Sequence, residues 1–201
     1  MSSSDDGPEL RRRNSERYQW EKDRVRLSEA ERRSTGGTER DTGLSTHDLD
    51  FHTEYARIEA DEDLASAFGV PTGTPLLRRV YRTSRRSGAV PLSASCSYLP
   101  YELVARNPDL LDPGNEPWPG GTQHQLHTVG VELARVQDQI RTRPPSPSEA
   151  TMLDLEPEVS VLTLRKISVD VTGRVVEVAD AVFPGDRTEL VYTTVLKRWD
   201  A

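Results

Sequence analysis

The side chains best suited to chemistry are basic ones in two strand-like runs. Arg78, Arg79, Arg82, Arg85 and Arg86 crowd the first, and Arg165 with Lys166 stands in the second. A guanidinium on the hollow side of a sheet can fork onto a carboxylate or phosphate. One that faces solvent pairs with surface acids instead. A period of two puts Arg82 and Ser84 on one face and Arg79 on the other. Glu177 interrupts the apolar run Val175-Val-Glu-Val-Ala179, where a carboxylate is costly unless paired or hydrogen bonded. Ligand contact and a structural ion pair would both satisfy it. Arg187, in the turn Gly185-Asp-Arg187, is either an anion contact or a clamp on Glu177 or Asp180.

Catalytic and metal chemistry find little support. The chain has no Gly-rich phosphate loop, no Gly-x-Ser-x-Gly elbow and no His-Glu-x-x-His. His124 and His127 share a helical face, but no further ligand lies nearby in sequence, so they read as polar helix residues and no metal is expected. Cys96, the one cysteine, alternates with Ala94 and Tyr98 as a buried inert thiol would. No nucleophile–base pair emerges, so no catalytic residue and no cofactor is assigned. The chemistry points to binding.

The elements that must position these groups begin near residue 51. Of the 201 residues, 34% are hydrophobic and 29% charged, with a net charge of −7. An acidic balance argues against a nucleic-acid-binding domain here. No apolar run is long enough to span a membrane, and the N-terminus lacks the order of a signal peptide, so a cytoplasmic protein is expected. Residues 1–50 are poor in apolar side chains and read as a charged, largely disordered connector with a possible helix over 15–33.

From residue 51 to 201 the patterns predict an α+β domain. Asp61 to Phe68 reads as a helix closed by Gly69. Leu76 to Ser84 and Val90 to Leu99 read as a hairpin, Tyr101 to Leu111 and Thr122 to Thr128 as helices, and Val131 to Arg141 as a strand. Ser146-Pro-Ser-Glu149 is a capping box opening a helix to Leu155. Val159 to Val169 and Val175 to Phe183 form a second hairpin, and Glu189 to Trp199 a last strand. Helix plus hairpin thus occurs twice, with Arg79 opposite Arg165 and Ser95 opposite Asp180. Two such units must pack together to bury a core, leaving a crevice at the join that suits a ligand.

These units, with the stretches Ser87-Gly88-Ala-Val-Pro-Leu92, Ser97-Tyr-Leu-Pro100 and Val175…Glu177…Phe183-Pro-Gly-Asp-Arg187, resemble the UTRA domain. That is the effector-sensing domain of the HutC subfamily of GntR-type bacterial transcriptional regulators. The resemblance covers about residues 50–199, and Arg17 to Arg24 with Asp41 to Leu44 resembles the connector that follows the winged helix in actinobacterial members. It implies a chorismate-lyase-like antiparallel sheet flanked by short helices, a homodimer, and a small-molecule effector, often anionic, between the repeats. The ligand-binding positions it implies are Arg82, Gly121, Thr122, Gln123, Glu177 and Phe183. Ser95 falls where relatives carry a glutamate, which favours a less anionic effector.

The winged helix-turn-helix of such regulators is not in this sequence, so DNA would be reached only through it. The chain is expected to be either a fragment of a full repressor or a freestanding sensor, with Arg11-Arg-Arg13 near DNA phosphates in the former case. A chorismate-lyase-like enzyme and a ligandless dimerisation module are the rival readings.

Overall fold

The computed structural model describes residues 10–34 and 36–196. In chain order come strand β1 (Arg11–Asn14) and helices α1 (Arg17–Arg24), α2 (Glu29–Arg33) and α3 (Gly37–Thr42). Then follow β2 (Leu49–Glu59), α4 (Glu62–Phe68), β3 (Pro75–Arg85), β4 (Val90–Pro100) and α5 (Tyr101–Val104). After a turn-rich loop come α6 (Gly121–Thr128), β5 (Leu133–Arg143), α7 (Pro147–Leu153), β6 (Val161–Asp170), β7 (Val175–Pro184) and β8 (Thr188–Val191).

Six strands form one antiparallel sheet in the order β2-β3-β4-β7-β6-β5, the α+β architecture expected. The repeat is one strand longer than the sequence suggests: β2-α4-β3-β4 and β5-α7-β6-β7 are equivalent halves. Where they meet, Ser95 pairs with Ala181 and Cys96 with Asp180. Since Ser95 is the counterpart of Asp180, these exchanged pairings define an approximate two-fold axis between β4 and β7.

Local chemistry starts and stops the helices. Asp61 caps α4 by accepting from Leu64 N at 2.8 Å, and Gly69 ends it at a φ of 68°, a left-handed conformation that glycine adopts without penalty. Ser146 and Glu149 form the expected capping box on α7. Each of these helices reaches over the other half, α4 packing on β7 and α7 on β4. Leu64, Phe68, Leu76 and Val178 form one buried cluster there, and Ala94, Leu153 and Val161 another. The opposite sheet face buries Leu77, Leu99, Leu103, Leu126 and Leu133 beneath α5 and α6. Burying one such leucine stabilises by roughly 1.5–3 kcal/mol.

Several expectations need correction. The helix over 15–33 is two helices, because Ser28 and Glu31 form a capping box that starts a new one. The disorder expected of residues 1–50 does not hold over 10–34 and 36–50: β1 pairs in parallel with β8, and Arg11, Arg24 and Asp41 are buried. Counting apolar residues misses charges that bury one another. The helix expected from Tyr101 to Leu111 stops at Val104, and a 3-10 turn follows at Pro108–Leu111, since proline disfavours helix at the residue before it. The last strand covers only Thr188–Val191; Lys197 to Trp199 lie outside the described residues, as do residues 1–9. Among the described residues no helix is long and apolar enough to cross a membrane.

The β6–β7 turn is clamped by Asp170. Its carboxylate accepts from Thr172 N (2.9 Å), Thr172 Oγ1 (2.7 Å), Arg174 N (2.9 Å) and Arg174 Nη2 (2.7 Å). Burial pushes this carboxyl up, but the donors on Thr172 and Arg174 outweigh it and bring it from 3.8 down to about 2. A depressed carboxyl stabilises the fold above its unfolded value and loses that contribution as pH falls through its folded value. Asp170 therefore contributes fully above about pH 4 and progressively less towards pH 2. Urea unfolding at pH 6 and pH 3 should show wild type losing more stability on acidification than Asp170→Asn; equal losses would assign the acid sensitivity elsewhere.

Candidate functional site

The two central strands carry small side chains at every second position, and a hollow results. Ser93, Ser95 and Ser97 of β4 and Ala179 and Ala181 of β7 line a cavity of about 390 Å³. Cross-strand register arranges the sheet beneath it in rows. One row runs Thr53, Tyr81, Ser95, Ala181, Leu164 from β2 to β6, and the next runs Tyr55, Arg79, Ser97, Ala179, Lys166. The cavity thus sits on the pseudo-two-fold axis, with three strands from each half beneath it.

A polar network crosses this floor. Glu177, only 2% exposed, accepts from Ser97 Oγ at 2.9 Å, Ser168 Oγ at 3.1 Å and Lys166 Nζ at 2.8 Å. Arg79 Nη2 stands 3.7 Å from Glu177 Oε1 and donates to Ser97 Oγ at 3.0 Å. Burial pushes the Glu177 carboxyl up, yet Lys166 and Arg79 hold it below the usual carboxylate range, so it stays ionised. Arg79 also donates to Gln125 Oε1, and Gln125 Nε2 donates to Glu116 Oε1 at 2.9 Å. The Tyr81 hydroxyl donates to that same oxygen at 3.0 Å, as does that of Tyr55. Burial pushes the Tyr55 hydroxyl up to about 12, so it remains a donor.

The wall opposite the sheet comes from the loop before α6. Gly120 has a φ of 98°, and a Cβ there would sit 2.7 Å from His124 Cβ and 2.8 Å from Arg32 Cδ. Glycine at 120 is therefore required twice over, by conformation and by space. This tight entry brings Gly121, Thr122 and Gln123, the first turn of α6, to the cavity wall. First-turn amides of a helix lack intrahelical acceptors and carry the positive end of the dipole.

A roof is supplied by the N-terminal segment. Arg11, Arg13, Arg17, Tyr18 and Glu21 line the cavity, and Gln123 Nε2 donates to Tyr18 O at 2.9 Å. Arg11 is buried, stacked 4.9 Å from the centroid of the Phe183 ring. Only Arg12 of the Arg11-Arg-Arg13 triplet turns outward, and it pairs with Glu189.

Of the residues singled out from sequence, Ser95, Gly121, Thr122, Gln123, Glu177 and Phe183 come together at this cavity. Arg82 does not. It lies on the other sheet face, half-exposed and 4.0 Å from Glu54, while Arg79 takes the place beside Glu177. The cause is a β-bulge. Arg85 pairs with Val90 and Ser84 with Pro91, but Thr83 pairs with Ser93, leaving Leu92 as an extra residue. One inserted residue reverses which faces align, so Ser95 stands beside Tyr81 and in phase with Arg79. Arg187 is also absent from the cavity. Its Nη2 donates to Leu153 O at 2.7 Å, closing the end of α7 rather than clamping Glu177 or Asp180. Tyr81, Glu116, Gln125, Arg17 and Glu21 are cavity groups that sequence reasoning missed. Lys166, one of the strand cations it named, lines the cavity, while Arg79 lies beneath it against Glu177. The serines at 93, 95 and 97 with the alanines at 179 and 181 are the signal that marks the hollow face. Among the described residues no group of three His, Cys, Asp or Glu side chains could hold a metal.

Comparison with known proteins adds the following. A family model described as the UTRA domain matches residues 52–189. An uncharacterized HTH-type transcriptional regulator of Rhizobium meliloti is 30% identical over 151 residues, which is 74% of this chain and 59% of that protein. The chain thus spans about three fifths of that relative's length. A crystal structure of a GntR-family transcriptional regulator superposes with a TM-score of 0.71 at 20% identity, over 94% of this chain and 71% of the other. A match so long takes in most of the N-terminal segment as well as the sheet. The effector domain of PhnF from Mycobacterium smegmatis superposes with a TM-score of 0.60 at 22% identity, over 74% of this chain and 89% of that domain.

Proposed function

The chain belongs to the UTRA domain family, and on that premise we propose that it is the effector-sensing part of a GntR-type transcriptional regulator. A small molecule occupies the cavity on the two-fold axis, and its binding sets the position of the N-terminal connector and, through it, of a winged helix that grips DNA. The observation that carries this reading is the cavity itself. Its volume, about 390 Å³, falls in the range of small-molecule sites. Its floor offers serine hydroxyls beside the ionised Glu177 and Lys166, and its roof several guanidinium groups. The ligand we infer is a polar metabolite bearing an anionic group and hydroxyls, held by Ser95, Thr122, the first turn of α6 and the roof arginines. Ligand binding moves the connector only if it favours one arrangement over another.

The reading includes no catalysis. The buried Glu177 is committed to Ser97, Ser168 and Lys166, so it is not poised to move a proton. We also propose a homodimer working in the cytoplasm.

A thermal-shift screen of anionic and neutral metabolites, followed by calorimetry, tests the sensor. At least one compound should bind once per chain, and Ser95→Phe, which projects a ring into the hollow, should weaken it at least tenfold. If no compound binds, the domain is a dimerisation module. If chorismate is converted to pyruvate, it is an enzyme.

A further inference from the structure

The roof contains its own anion. Asp41 of α3 is buried, and its Oδ2 accepts from Arg11 Nη2 at 3.2 Å and also from Arg17 Nη1. Both arginines line the cavity. Arg11 reaches the floor as well, donating from Nη1 to Ser93 Oγ at 3.0 Å, and its buried Nε has no hydrogen-bond partner. Arg17 is also held by Glu21, another cavity-lining residue, whose Oε1 lies 2.7 Å from Nη2. Two guanidinium groups at the cavity therefore converge on one carboxylate oxygen, the arrangement that recognises a carboxylate or phosphate ligand.

We propose that Asp41 is an internal competitor for the oxyanion subsite of this cavity. A ligand oxyanion takes over Arg11 and Arg17, Asp41 loses its partners, and α3 is released from β1, against which it packs. The inference deepens the sensor reading and rests on it. It explains how occupancy inside the sheet reaches the connector: the group that holds α3 down is the group the ligand replaces. Linkage makes the exchange reciprocal, so the factor by which Asp41 weakens anion binding is the factor by which the anion weakens docking of α3.

The test uses the full chain and inorganic phosphate as probe, read by calorimetry and amide hydrogen exchange. Asp41→Asn should bind phosphate at least tenfold more tightly than wild type, because the competitor's charge is gone. Arg17→Gln should bind at least tenfold more weakly. In wild type, saturating phosphate should lower exchange protection over residues 37–42 and leave protection in β4 and β7 intact. This arm does not depend on any variant folding. A weaker or unchanged affinity in Asp41→Asn, protection over 37–42 that rises or stays constant, or no phosphate binding to either protein would each overturn the competition. A screened metabolite bound equally by wild type, Asp41→Asn and Arg17→Gln would leave the sensor standing while removing this mechanism. Failure of every compound and of phosphate would remove both.

Discussion

Replacing Arg79 by alanine is expected to lower the unfolding free energy by about 3–5 kcal/mol, the usual cost of removing one partner from a buried ion pair. The side chain is 1% exposed and ties together Ser97, Gln125 and Glu177. Without it Glu177 keeps Lys166 but loses its second cation, and Gln125 Oε1 loses its donor beneath α6. The comparison is Arg82→Ala, three residues along the same strand. Arg82 is solvated and its ion pair with Glu54 is long, so its loss should change stability by no more than about 0.5 kcal/mol. Urea denaturation of the two variants separates them. Similar effects in both would mean that the buried network does not bear on the stability of the sheet.

Leu126→Ala should cost about 2–5 kcal/mol, as deletion of a buried leucine side chain typically does. Leu126 is fully buried on α6, in the cluster with Leu99, Leu103 and Val104. It is flanked by Gln125, which holds the polar network, and its helix begins with Thr122 at the cavity wall. The void beneath α6 should therefore weaken ligand binding as well as folding. The expected pairing is a lower urea midpoint with an unchanged slope, together with reduced affinity for any compound found by screening. An unchanged midpoint would show that α6 contributes little to the core.

Much of this arrangement was legible in the residues. The cap at Ser146, the glycine at 69 that closes α4, the turns that close both hairpins and the doubling of the unit follow from short-range chemistry that the sequence displays. So did the oddity of Glu177, since a carboxylate inside Val-Val-Glu-Val has few ways to be tolerated. The choice between Arg79 and Arg82 was not legible, for a reason located at Leu92. Alternation sorts β3 into two faces and β4 into two faces, but matching them requires the register, and an unpaired residue near the turn shifts it by one. Both sheet faces are also covered, one by α4 and α7 and the other by α5, α6 and the roof, so hydrophobicity alone labels neither as hollow. The roof escaped for a different reason. Its ordering rests on Arg11, Arg17 and Asp41, residues whose types predict solvation until their partners are known.

The crossing of α4 onto β7 and of α7 onto β4 has a consequence for what either half could do alone. A lone β-α-β-β segment would expose an open backbone edge at β4 together with a helix whose greasy side lacked a complete seat. A second copy of the same segment, turned half a revolution, offers the missing edge and the missing seat at once. The two halves thus stand to each other as two exchanged copies of one segment would, and the cavity lies at the seam between them.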